Sequence, residues 1–126
     1  MTTLADIAAQ AARGDAAGAH AQLTAMLGSA GLDAAHRAAV LVQRARVLQQ
    51  LRDLPGAAAD LEQAVALAPA DARAFADLGI VRSDLGDLPG AVAAFTRAVE
   101  CDANNARAWN NLGNAQWESG AIEASI

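Results

Sequence analysis

Lysine and tyrosine are both absent from this chain of 126 residues. Nine arginines carry all the fixed positive charge against fourteen acids, a net charge of −5. The arginines are scattered and form no basic stripe, so the electrostatic footprint of nucleic-acid binding is missing and nucleic acid is excluded as an expected partner. The arginine-for-lysine bias reads as genome composition rather than mechanism, and a bacterial source is the expectation. Aromatic residues are scarce, with two Trp and two Phe. An alanine-rich chain that is 54% apolar but poor in rings suits close helix packing better than a sheet sandwich. A single cysteine, Cys101, excludes an internal disulfide. No apolar run approaches the roughly 18 residues of a membrane span. Thr2 to Asp6 offers neither a basic segment nor a long apolar core, so no secretory leader is expected. The length suits one domain, and the expected location is the cytoplasm.

Catalytic signatures are also lacking. There is no Gly-rich phosphate loop, no His-Glu-x-x-His, no cysteine pair and no Gly-x-Ser-x-Gly. No catalytic residue, metal or cofactor is therefore expected, and the chain is read as a non-enzyme. Cys101 reads as a small buried hydrophobe, and His20 and His36 as surface helix residues.

What the chain does have is a period. Leu54-Pro55-Gly56-Ala57 answers Leu88-Pro89-Gly90-Ala91 at a spacing of 34 residues. Asp53 answers Asp87, Leu61 answers Phe95 and Ala64 answers Ala98; downstream, Trp109, Leu112 and Gly113 answer Phe75, Leu78 and Gly79. A repeat of about 34 residues is the length of the tetratricopeptide unit. The stretch Ala72–Asn105 also has Phe75-x-x-Leu78-Gly79, Gly86, Ala91-x-x-x-Phe95 and Ala98, and on these residues the chain resembles a tetratricopeptide repeat array. The resemblance implies an all-α, right-handed α-solenoid of helix-turn-helix repeats. About three and a half repeats are expected, at residues 3–32 (degenerate), 38–71, 72–105 and 106–126 (truncated), forming one domain of seven helices plus a truncated eighth.

In chain order, Thr3 caps a first helix to about residue 12, and Gly14-Asp15 turns into a second ending near Leu27. Gly28-Ser29-Ala30-Gly31 is a loop. Asp33 caps a third helix to about Leu51. Pro55 opens a fourth, Asp71 caps a fifth, and Pro89 opens a sixth that ends at Cys101. Asn104 or Asn105 caps a seventh, which Gly120 is expected to end near Ser119. Arg44 stands where Leu78 and Leu112 stand in later repeats; a buried arginine needs a partner, and Asp60 is the candidate. Gly79 and Gly113 mark expected close approaches between helices, and Phe75, Phe95, Leu61 and Trp109 the hole-filling side chains. The chain stops about six residues into the expected eighth helix, an unusual end for a solenoid. The expectation is a piece of a longer protein or an end covered by a second copy.

The resemblance implies that the first helix of each repeat lines a concave, peptide-binding groove, and the i, i+3, i+4 spacing independently places one polar stripe on each such helix. The candidate groove residues are Gln43, Arg46 and Gln50, then Asp77, Ile80 and Asp84, then Asn110, Asn111 and Asn114. Amides and mixed charge there suit an extended peptide, although a merely solvated face would look the same. Trp117 either lines the groove or packs on the eighth helix. A clamp for a chaperone's C-terminal carboxylate is argued against, because lysine is absent and Asp77 and Asp84 would repel the ligand. The leading expectation is a non-catalytic scaffold that binds a protein or peptide. One alternative is the N-terminal recruiting or regulatory arm of a larger enzyme, such as a bacterial glycosyl- or sulfotransferase. Another is a homo-oligomerisation module that buries Trp109, Trp117 and Ile122 at the uncapped C-terminal end.

Overall fold

Side chains start each of the described helices. The computed structural model describes residues 3–29 and 31–124, with the backbone alone for 121–124. Among them are seven helices and no strand: α1 Leu4–Ala12, α2 Ala16–Leu27, α3 Ala34–Gln50, α4 Leu54–Leu67, α5 Ala72–Asp84, α6 Leu88–Cys101 and α7 Ala106–Ala124. Thr3 opens α1 with a capping box, accepting the Asp6 N–H while the Asp6 carboxylate accepts the Thr3 N–H. Asp15, Asp33, Asp53, Asp71 and Asp87 each accept a backbone N–H from the first turn of α2 to α6. Asn105 does the same for α7, accepting from Ala108 at 3.1 Å. The acids before the two Leu-Pro-Gly turns are thus helix caps.

Three caps make the fold sensitive to acid. Hydrogen bonds from Thr3 hold the Asp6 carboxyl below its ordinary 3.8. The Gln10 amide, then the Gly18 N–H, do so for Asp15, and the His36 N–H and ring for Asp33. A pKa depressed by folding stabilises the native state above the unfolded value and loses that contribution as pH falls through the folded one. The urea midpoint is therefore expected to drop as pH is taken below about 4, with Asp33→Asn removing part of the slope.

Backbone packing divides the chain into two compact units, Met1–Pro69 and Ala70–Ile126. In the first, α1 packs on α2, α2 on α3 and α3 on α4, with α1 also meeting α3. Its core joins Ile7, Ala19, Leu23, Val40 and Val47. Arg44 reaches Asp60 as expected: Nε and Nη2 each donate to one carboxylate oxygen at 2.7 Å, and Nη1 donates to the Thr24 hydroxyl at 3.3 Å. In the second unit α5 packs on α6, α6 on α7 and α5 on α7. Phe95, Ala98, Ala108 and Leu112 form its core, with Phe75 and Ile80 against them. Arg97 lies over the Phe75 ring, 5.4 Å from the centroid.

Four features differ from expectation. The helix does not stop at Gly120; α7 runs on to Ala124, so no eighth helix begins at 121. At Gly86 the stop is reinforced by an Asp87 cap and Pro89, whereas Gly120 is followed by Ala-Ile-Glu. One glycine among helix formers costs about 1 kcal/mol and does not break a helix. In consequence Gly113 meets nothing: a Cβ built there has no atom within 4 Å, because no later helix turns back onto it among the described residues. Trp109 fills no hole either. It is half exposed, and its indole N–H donates to the Ala103 carbonyl at 2.8 Å. Cys101 is only partly buried. The Ile122 side chain, Ala30 and residues 125–126 lie outside the described residues.

Spacing alone gave no hint of Arg52. It occupies the turn position of Gly14 and Gly86 and, like them, has positive φ, 66° against 102° and 85°. An L-residue with a Cβ is strained there by roughly 1–2 kcal/mol. Arg52→Gly is expected to raise stability by about 1 kcal/mol in urea unfolding, a gain partly offset by the greater freedom of glycine in the unfolded chain.

Candidate functional site

Within the second unit, α5 and α7 lie side by side and leave a cleft of about 160 Å³. The α5 wall is Ile80, Ser83 and Asp84; the α7 wall is Asn111, Asn114, Ala115 and Glu118. These are i, i+3, i+4 and i+7 sets, so each wall is one helical stripe. Phe95 of α6 contributes to the lining from beneath. Ile80 and Asn111 are partly buried, whereas Asp84, Asn114 and Glu118 are exposed. Among the described residues, Asp84, Asn111, Asn114 and Glu118 make no side-chain hydrogen bond. Their donors and acceptors are available to a ligand.

Of the candidate groove residues in this unit, Ile80, Asp84, Asn111 and Asn114 thus meet at one cleft. Asp77 lies one turn before Ile80 on the same α5 stripe, outside the cleft, and it already has an interaction within the protein. Asn110 is exposed and does not line the cleft. Trp117 is 74% exposed. Ser83 and Glu118 lie on the polar stripes, but Phe95 and Ala115 could be read only as core, because their role depends on how far apart α5 and α7 stand.

A second cleft, of about 230 Å³, lies between α1 and α3 in the first unit. Gln43, Arg46 and Gln50 line it with Val47 on the α3 side, opposite Ala8, Ala11 and Ala12 of α1. The three alanines sit at i, i+3 and i+4, and their small side chains keep this cleft open. The first repeat lacks the Trp-Leu-Gly part of the pattern, so its alanines carry no mark of a groove wall. The amide of Gln50 already donates to the Ala11 carbonyl at 2.8 Å, which closes one end of α1 onto α3. Arg46 is likewise engaged within the protein.

Among the described residues no group of three or more His, Cys, Asp or Glu could hold a metal. Nor is any helix among them long and apolar enough to cross a membrane.

Residues 81–120 match the model of a family described as TPR repeat. No curated protein matches the sequence. Among solved structures, the chain is similar to the Sgt2 TPR domain from Aspergillus fumigatus, at 24% identity and a TM-score of 0.85, covering 95% of this chain and 78% of that one. It is similar to the first TPR of Spaghetti (RPAP3) bound to the HSP90 peptide SRMEEVD, at 22% identity and a TM-score of 0.79, covering 88% and 85%. A third likeness is to MamA, at 21% identity and a TM-score of 0.81; it covers 93% of this chain, which spans 66% of that chain's length. Residues 81–120 thus carry a TPR repeat, and the described residues as a whole have the all-α tetratricopeptide fold. At these identities the structural likeness speaks for the fold, which hosts many functions.

Proposed function

We propose that this chain is a non-catalytic interaction module that binds an extended peptide or protein segment on the facing stripes of α5 and α7. One observation carries the reading. Two asparagine amides, Asn111 and Asn114, line a cleft with their hydrogen-bonding groups unspent. An amide offers both a donor and an acceptor, which is what a peptide backbone requires. A neighbour of the same fold, solved with a peptide bound, makes such use of the fold reasonable. The α1–α3 cleft is proposed as a separate contact for the same class of partner, with Gln43 and Arg46 at its edge; Asp77 and Asn110 are proposed as flanking contacts.

The test begins with affinity capture of a partner from native lysate, followed by calorimetry on the captured segment. Asn111→Ala with Asn114→Ala is expected to weaken binding by about 1–3 kcal/mol, because main-chain groups of the partner lose their only counterparts. Both positions lie outside the buried core, so the fold should persist. Unchanged affinity in a folded double variant would place the partner elsewhere.

A further inference from the structure

The α5–α7 cleft is more selective than a peptide backbone alone requires. Its apolar lining is Ile80, Phe95 and Ala115, while its polar edge has one carboxylate on each wall, Asp84 and Glu118. No arginine or histidine lines it. The volume of about 160 Å³ falls well below the roughly 300–1,000 Å³ of small-molecule sites. It is close to the roughly 150 Å³ that accommodates a single benzene ring. A single long side chain is an occupant of the right size.

We propose that the cleft takes one arginine or lysine side chain of the bound peptide, with its methylene stem against Ile80 and Phe95 and its charged end between Asp84 and Glu118. The proposal rests on the peptide-binding reading of the same cleft. Charge complementarity selects the occupant. A wholly apolar side chain would cover two carboxylates without pairing them, which costs free energy. An acidic side chain would meet two like charges and be rejected. A basic side chain satisfies both parts of the lining, because its stem is apolar and its end is cationic. Arginine is favoured over lysine, since a planar guanidinium can donate to two carboxylates at once. The net charge of −5 adds a longer-range attraction of the same sign.

Three short synthetic peptides of alanine, glycine and serine test this, identical apart from arginine, norleucine or glutamate at the centre. Each is titrated into the ¹⁵N-labelled full chain while the backbone amides of residues 80–84 and the side-chain amides of Asn111 and Asn114 are followed by NMR. The arginine peptide is expected to shift these resonances and to bind about tenfold or more tightly than the other two, the effect of a hydrogen-bonded charge. The advantage should shrink in high salt and disappear in the Asp84→Asn, Glu118→Gln double variant. Both changes are nearly isosteric and at exposed positions, and the amide spectrum reports whether the fold is kept. Equal binding of the arginine and norleucine peptides at the cleft, or an arginine advantage that survives the double variant, would overturn the cation site and leave peptide binding standing. If no peptide moves the Asn111 and Asn114 resonances, both fall together.

Discussion

Asp60→Ala is expected to lower the stability of the chain by about 3 kcal/mol. Asp60 is 3% exposed, and both its oxygens accept from Arg44 at 2.7 Å. Without it the guanidinium, whose side chain is only 21% exposed, keeps a single 3.3 Å contact to Thr24. An uncompensated buried charge typically costs 3–5 kcal/mol, and the partial access of Arg44 to water favours the lower end. The Asp60 hydrogen bond also raises the Arg44 pKa against the opposing effect of burial, so the guanidinium stays charged. Arg44→Leu combined with Asp60→Ala removes both charges and puts an apolar side chain where later repeats have leucine. That double variant is expected to recover most of the loss, because replacing a buried pair by apolar groups is often nearly neutral. Urea unfolding of the three proteins decides it; a loss below about 1 kcal/mol for Asp60→Ala would show that the pair is not structural.

Gly79→Leu is expected to cost a similar amount, about 3 kcal/mol. A Cβ at Gly79 would stand 2.6–2.8 Å from three atoms of the Phe95 ring. Phe95 is itself 3% exposed and part of the core, so the ring has little room to retreat. Gly113 holds the corresponding position one repeat later and faces open space. Gly113→Ala should therefore stabilise by about 0.5–1 kcal/mol through reduced backbone entropy alone. Opposite signs at two positions that match in the repeat pattern would separate local packing from intrinsic helix preference. Combining Gly79→Leu with Phe95→Ala in a double-mutant cycle should show strong coupling, as expected for residues in contact.

The helices were legible because local chemistry repeats at each start. An Asp, Thr or Asn precedes each described helix, and proline or glycine lies in or just after each connection but the one from α6 to α7. Arg44–Asp60 was legible for a different reason: a charged residue stood in an apolar register, and a buried charge needs a counterpart. The exceptions arise where one residue type serves two conformations. Glycine marks a helix end at Gly86 but is carried within α7 at Gly120, and only the neighbouring cap and proline distinguish the two. Arg52 adopts a glycine-like backbone that its identity conceals. For the candidate site, the polar stripes on α5 and α7 were readable from spacing. The cleft was not, since it depends on the distance between two helices and on Phe95 beneath them. The α1 wall of the other cleft is built of alanines, whose contribution is the space they leave.

Partners are expected on the facing stripes of α5 and α7. Photocrosslinking tests this most directly, with Ser83→p-benzoylphenylalanine in the cleft and Ala93→p-benzoylphenylalanine on the exposed side of α6. Adducts with a captured partner at residue 83, lost when Asn111 and Asn114 are replaced by alanine, are the predicted result. Adducts at residue 93 with none at residue 83 would contradict it.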